Sequence, residues 1–304
     1  MLQRSLVFIL IFFSSVIFAV DYDYPYLING GAPSYFLANQ SFDNSLSVFE
    51  NDGYISDFRK IQLGIFHTSA FESLNTKTIS LEFKLLTNTF LGVSYCSISD
   101  SEIEKNSIDT SAVDKPFIVS DYYSYENNHS KLTLKQRLNK HFSFGFSVNH
   151  YETTVDTFNA SAIDVSFGTI VTSKYMDLGI SFQNRFGSTI NFEGAAESLP
   201  QLGIFNMRLN PLDWLKFSMR ATHVKSTYDR DRSMLFGAGI HVFPLKLFTV
   251  SLGVIEQFEA LDIKAVPAAG ISLELRSFNV DYVYKKMDYK PSSHSHLMSM
   301  KFKL

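Results

Sequence analysis

The sequence predicts an all-β fold: an antiparallel transmembrane β-barrel of about 14 strands with an N-terminal plug segment. Three observations predict it. Connections alternate long and short between segments whose apolar residues recur with period two. An export signal opens the chain, and a strand runs to its last residue. A soluble β-sandwich has no reason to keep the alternation of connections, whereas a transmembrane barrel has tight periplasmic turns and long outer loops.

Residues 1–19 read as a signal peptide. Arg4 supplies the basic start, residues 6–18 are apolar apart from Ser14 and Ser15, and Ala19 suits cleavage. No later apolar run approaches the ~20 residues of a membrane-crossing helix. Residues 20–59 lack strand periodicity and form the expected lumenal plug. They contain Gly30-Gly31-Ala32-Pro33, a helix-like stretch from Ser34 to Asn39, and Val48-Phe49-Glu50-Asn51-Asp52-Gly53.

Residues 60–304 form the expected barrel. Phe142, Phe144, Phe146 and Val148 alternate with small or polar residues, as do Met234, Phe236, Ala238, Ile240 and Val242. In the last strand Met298, Met300 and Phe302 alternate with Ser299, Lys301 and Lys303. Each strand thus has one apolar face. No charge falls on that face, and Arg or Lys there costs roughly 2–4 kcal/mol at the bilayer midplane. Residues 117–138 are taken as one long strand with an irregularity at 127–129, because two strands there would give an odd count. The long connections 69–77, 99–115, 152–160, 184–199, 225–232, 257–265 and 286–295 then lie outside. The short ones at 87–89, 139–140, 172–174, 210–213, 244–246 and Arg276 lie inside.

The composition points the same way. Of 304 residues 15% are aromatic, enough for girdles at two membrane interfaces, and the net charge of -3 gives no footprint for nucleic acid. The lone Cys96 excludes an internal disulfide. The lumen-facing register carries Glu82, Lys84, Asp164, Asp177, Arg208, Lys216, Arg220, Glu274, Asp281, Lys301 and Lys303. These charges nearly balance, so a cross-strand network is expected rather than an ion-selective lining.

No catalytic constellation is legible, and the chain is read as a non-enzyme. His150 and His223 fall on the apolar face of different strands, where headgroup depth explains them. His294 and His296 lack a third metal ligand in the sequence pattern, so neither metal nor cofactor is expected. The alternating charges of residues 228–232 suit a solvated loop, or contact with lipopolysaccharide or a partner.

Several of these segments resemble the PorV/PorQ family of outer-membrane proteins, distantly related to the FadL fatty-acid transporters. Val48-Phe49-Glu50-Asn51-Asp52-Gly53 is similar to the family's Tyr-Trp-Asn-Pro-Ala-Gly pattern, with Asp52 in place of the Pro. Ser120-Asp121, Leu178-Gly179-Ile180-Ser181-Phe182-Gln183-Asn184 with Leu199-Pro200, and the final hairpin resemble it too. The resemblance implies a 14-stranded FadL-like barrel in a bacterial outer membrane, plugged from its N-terminal side. It implies passage or binding of hydrophobic small molecules, with Tyr35, Phe36, Leu37 and Phe49 near the ligand or within the plug. The alternative it implies is an accessory or interaction component of a type IX-like secretion system. Expected partners are outer-membrane lipid and lipopolysaccharide, the barrel-assembly machinery through the C-terminal strand, and a hydrophobic ligand or secretion components. A general diffusion porin is disfavoured because residues 20–59 would occlude so narrow a barrel.

Overall fold

The computed structural model describes residues 51–55, 60–70, 74–108, 117–192, 195–225, 233–259, 262–286 and 294–303. The signal segment 1–19, residues Tyr35, Phe36, Leu37 and Phe49, and the charged loop 228–232 lie outside them.

The strands are β1 (Ile61–Ala70), β2 (Leu74–Lys84), β3 (Thr89–Ile108), β4 (Phe117–Arg137), β5 (Phe142–Val155), β6 (Phe158–Thr172), β7 (Met176–Gln183) and β8 (Thr189–Phe192). They continue as β9 (Ala195–Ser198), β10 (Gln201–Leu212), β11 (Leu215–Lys225), β12 (Ser233–Leu245), β13 (Phe248–Glu259), β14 (Asp262–Glu274), β15 (Phe278–Lys286) and β16 (His294–Lys303). All but β8 and β9 form one closed antiparallel barrel of fourteen strands, and β8 and β9 pair only with each other. β1 closes on β16 from Gln62↔Lys303 to Ser69↔His296.

Burial is inverted relative to a soluble protein. Along β5, Phe146 is 49% exposed and Val148 42%, while Ser147 is 1% and Asn149 0% exposed. Glu82, Lys135, Thr133, Ser181 and Asn206 are likewise buried, and Ile79, Leu132, Leu134, Ile163 and Leu252 are exposed. Period-two alternation puts these sets on opposite faces. Only a solvent as apolar as the side chains makes such an exterior stable, which identifies the outer face with hydrocarbon.

Three sequence expectations need correction. The outer connections are shorter than anticipated because much of them is strand. β3 and β4 run 20 and 21 residues, roughly twice the 9–11 that cross a bilayer. Between β5 and β6, where a loop over 152–160 was expected, the turn is Asp156-Thr157, with Asp156 at a φ of 57°. Residues rich in Ser, Thr and Asn read as loop, yet they continue the ladder because the neighbouring strand offers paired backbone groups.

The irregularity expected at 127–129 is also misplaced, since β4 passes that point in continuous register with β3 and β5. The register shifts between β3 and β4 fall between Asp100 and Ile103 and between Lys105 and Asn106. The single-strand reading of 117–138 stands. The segment 184–199 also departs from a plain loop, because it contains the β8–β9 hairpin.

Candidate functional site: the lumen

The lumen is built from alternate side chains of all fourteen barrel strands, and it is layered. At the end nearer the chain termini the layer is ionic. Lys135 on β4 reaches Glu82 on β2 at 2.6 Å, both sealed from solvent. These strands are not neighbours, because β3 lies between them. The pair spans it over Gly92, the Cα partner of Glu82, where a Cβ would stand 3.9 Å from both side chains. Arg208 meets its direct cross-strand partner Asp177 at 2.8 Å, and Asn210 donates to the same carboxylate. Ser299 donates to Asp281 at 2.9 Å, and Lys303 meets Glu274 at 3.2 Å at the exposed rim.

Other inward charges of the expected set follow the same register. Asp164, Arg220 and Lys301 are buried, Lys216 stacks over Phe243 at 4.4 Å, and Lys84 sits at the rim within 6.0 Å of the Phe90 ring. His150 and His296 face outward and are exposed, and His223 is outward and half-buried. Among the described residues no three His, Cys, Asp or Glu side chains converge as a metal site.

Sequence reading missed Lys131 and Lys135, although their alternation with Leu132 and Leu134 assigns them inward. It also missed His129 and His241. His241 bridges Ser218 at 2.8 Å and Ser251 at 2.9 Å. His129 contacts Asn149 at 3.0 Å and stacks on Tyr151 with centroids 4.3 Å apart.

Residues 51–55 lie against the lumenal wall. Asn51 Nδ2 donates to the Thr169 carbonyl at 3.1 Å, and its Oδ1 accepts from the Gly53 amide at 2.9 Å. Asp52 accepts from Lys131 at 2.7 Å and from the Ser147 hydroxyl at 3.0 Å. Ser143 donates to the Gly53 carbonyl at 2.6 Å, and Tyr54 packs on Ile170. The wall here is glycine. Gly145 and Gly168 are cross-strand partners, and a Cβ on either would collide with Asp52 or Asn51.

Above this point the lumen receives the segment after β7. Asp164 accepts from the amides of Phe186 at 3.0 Å and Ser188 at 2.8 Å. Tyr151 donates to Asn184 Oδ1 at 2.6 Å, and Asn184 Nδ2 donates to the Pro200 carbonyl. Asn184 and Gly187 take φ values of 53° and 62°, the left-handed conformation that turns the chain back. Ile190 and Leu199 then bury against Tyr151, Ala160 and Ala162.

Two patches of the lumen wall are apolar, set among buried polar residues such as Thr76, Thr78, Ser80, Thr222 and Lys285. Phe66, Ile255, Ala268, Val283 and Leu297, from β1 and β13–β16, form one buried cluster, and Leu202, Ile204 and Val224 form another.

No family model matches the sequence, and no curated protein matches it. By fold the chain is similar to several solved structures. One is the Pseudomonas putida toluene transporter TodX, at a TM-score of 0.66 and 8% identity over 95% of this chain and 100% of that one. A second is the Ralstonia pickettii toluene transporter TbuX, at 0.65 and 10%, covering 91% and 99%. A third is a Pseudomonas aeruginosa FadL homologue, at 0.59 and 11%, covering 95% and 99%. The fold is therefore FadL-like.

Proposed function

We propose that this barrel resides in the outer membrane of a Gram-negative-type bacterium and passes hydrophobic small molecules, with residues 20–59 as its plug. The observation that carries the reading is the buried apolar cluster of Phe66, Ile255, Ala268, Val283 and Leu297 on the lumenal wall. The solved neighbours described as toluene transporters and as a FadL homologue support it. So does the seating of Asn51, Asp52 and Gly53 inside the barrel.

The expected plug and ligand residues Tyr35, Phe36, Leu37 and Phe49 belong to this proposal. The test is uptake of a radiolabelled monoaromatic or fatty acid into proteoliposomes. Val283→Asn introduces a polar group that opposes an apolar guest by ~1–3 kcal/mol, and should slow uptake about tenfold. Wild-type uptake equal to that of empty vesicles sinks the proposal.

A second reading, a PorV-like accessory of a type IX-like secretion system, draws on the family resemblance and on the lumen filled by buried ion pairs. It requires that deleting the gene change the secreted proteins while small-molecule uptake stays normal.

A further inference from the structure

The lipid-facing border at the end away from the chain termini carries a ring of imidazoles. His67 on β1 follows the outward Ile61, Leu63 and Ile65, and His150 on β5 follows Phe144, Phe146 and Val148. His223 on β11 follows Phe217, Met219 and Ala221, while His296 on β16 precedes Met298, Met300 and Phe302. Each ends an apolar run, so the ring marks where hydrocarbon gives way to headgroups.

At one place the ring becomes cationic. His67 lies directly opposite Lys77 on β2, and both are exposed. Cα partners bring Cβ atoms within ~4.5–5.5 Å, close enough for both side chains to reach one ligand. Neither side chain has a hydrogen-bond or ion-pair partner among the described residues. No Asp or Glu occupies an outward position of β15, β16, β1 or β2 across this region. Glu126 on β4 belongs to the same face but is held by Asn128 at 3.1 Å and Ser97 at 3.5 Å.

The flanks are hydrogen-bonding aromatics. Diagonal to His67, His296 contacts the Tyr282 hydroxyl at 2.6 Å. On the other side Lys77 pairs with Ser97, beside Tyr95. Below lie Ile65, Ile79 and Met298, all exposed.

We propose that Lys77 and His67 form a binding site for the phosphate of an outer-leaflet lipid headgroup, whose acyl chain lies over Ile65, Ile79 and Met298. The ammonium supplies a charge-assisted donor to phosphate, and an imidazole offers an N–H in either protonation state. The strand register sets these two nitrogen donors side by side, where one anion can meet both. This goes beyond the transport reading, since it concerns the outer wall and stands whether or not anything crosses the lumen.

The test is lipid retention by full-length protein in phosphatidylcholine nanodiscs containing a minor fraction of phosphatidic acid, read by native mass spectrometry. Wild type should retain phosphatidic acid over phosphatidylcholine, and Lys77→Gln with His67→Gln should cut that preference at least about fivefold. His223→Gln, in the ring but without a lysine opposite, should keep it. Equal retention of both lipids by wild type, or unchanged preference in the double variant, overturns the site. If the double variant does not fold, molar salt applied to wild type replaces it. Salt should erase the preference by screening, and its persistence overturns the proposal.

Discussion

Gly145 and Gly168 face each other across β5 and β6, and the space their missing side chains leave is filled by Asn51 and Asp52. The notch fixes the chain ahead of β1 against the wall at a point where Lys131 and Ser147 bind the Asp52 carboxylate. Gly145→Ala sets a methyl against the backbone of Asp52, which no rotamer change can move. Overpacking of this kind costs ~1–3 kcal/mol. The variant should melt at lower temperature in detergent and show larger or more frequent current steps in planar bilayers. An unchanged melting temperature with silent bilayers would contradict it.

The Glu82–Lys135 pair is fully buried. Removing one partner strands the other charge away from water, at a cost of ~3–5 kcal/mol, whereas replacing both with apolar groups is near neutral. Lys135→Met should therefore destabilise strongly, and Lys135→Met with Glu82→Met should recover most of the loss. Urea unfolding in lipid vesicles measures both. Equal destabilisation of single and double variants would contradict the pairing.

Leu252 is 60% exposed in the middle of β13, on the outward face. Leu252→Arg should cost ~2–4 kcal/mol in folded stability in a bilayer. Its neighbour Ser251 points inward to His241, so Ser251→Ala should instead cost ~1 kcal/mol, the worth of one hydrogen bond. A larger loss at Ser251 than at Leu252 would reverse the assignment of faces.

Asp164 holds the amides of Phe186 and Ser188. Asp164→Ala removes both acceptors at once, and charge-assisted bonds of this type contribute ~1.5–3 kcal/mol each. Hydrogen exchange at those two amides should accelerate by at least about tenfold, while amides of β13 keep their protection. Uniform acceleration would instead indicate that the whole barrel is weakened.

Most of the fold was legible because membrane burial inverts a simple alternation without destroying it. Ile79, Leu81 and Phe83 sort from Ser80 and Glu82 by position alone. Strand ends were not legible, since Thr153, Thr154 and Asn159 have loop-like composition yet pair across a tight turn. Tertiary pairing overrides local preference there. For the lumen, parity assigned Asp177 and Arg208 to the same face, and register then made them partners. The Glu82–Lys135 contact was illegible, because it skips a strand and passes over Gly92 on the intervening one. The seating of Asp52 was equally hidden, since nothing near Asn51 in sequence announces a notch formed about a hundred residues later.

Closure of β1 on β16 joins residues from opposite ends of the barrel sequence, from Gln62 and Lys303 upward. A polypeptide stopped before the last hairpin is an open ribbon with two bare edges, each a row of unpaired amides and carbonyls that hydrocarbon does not tolerate. The seam between β1 and β16 is therefore what leaves the barrel with no bare edge toward hydrocarbon.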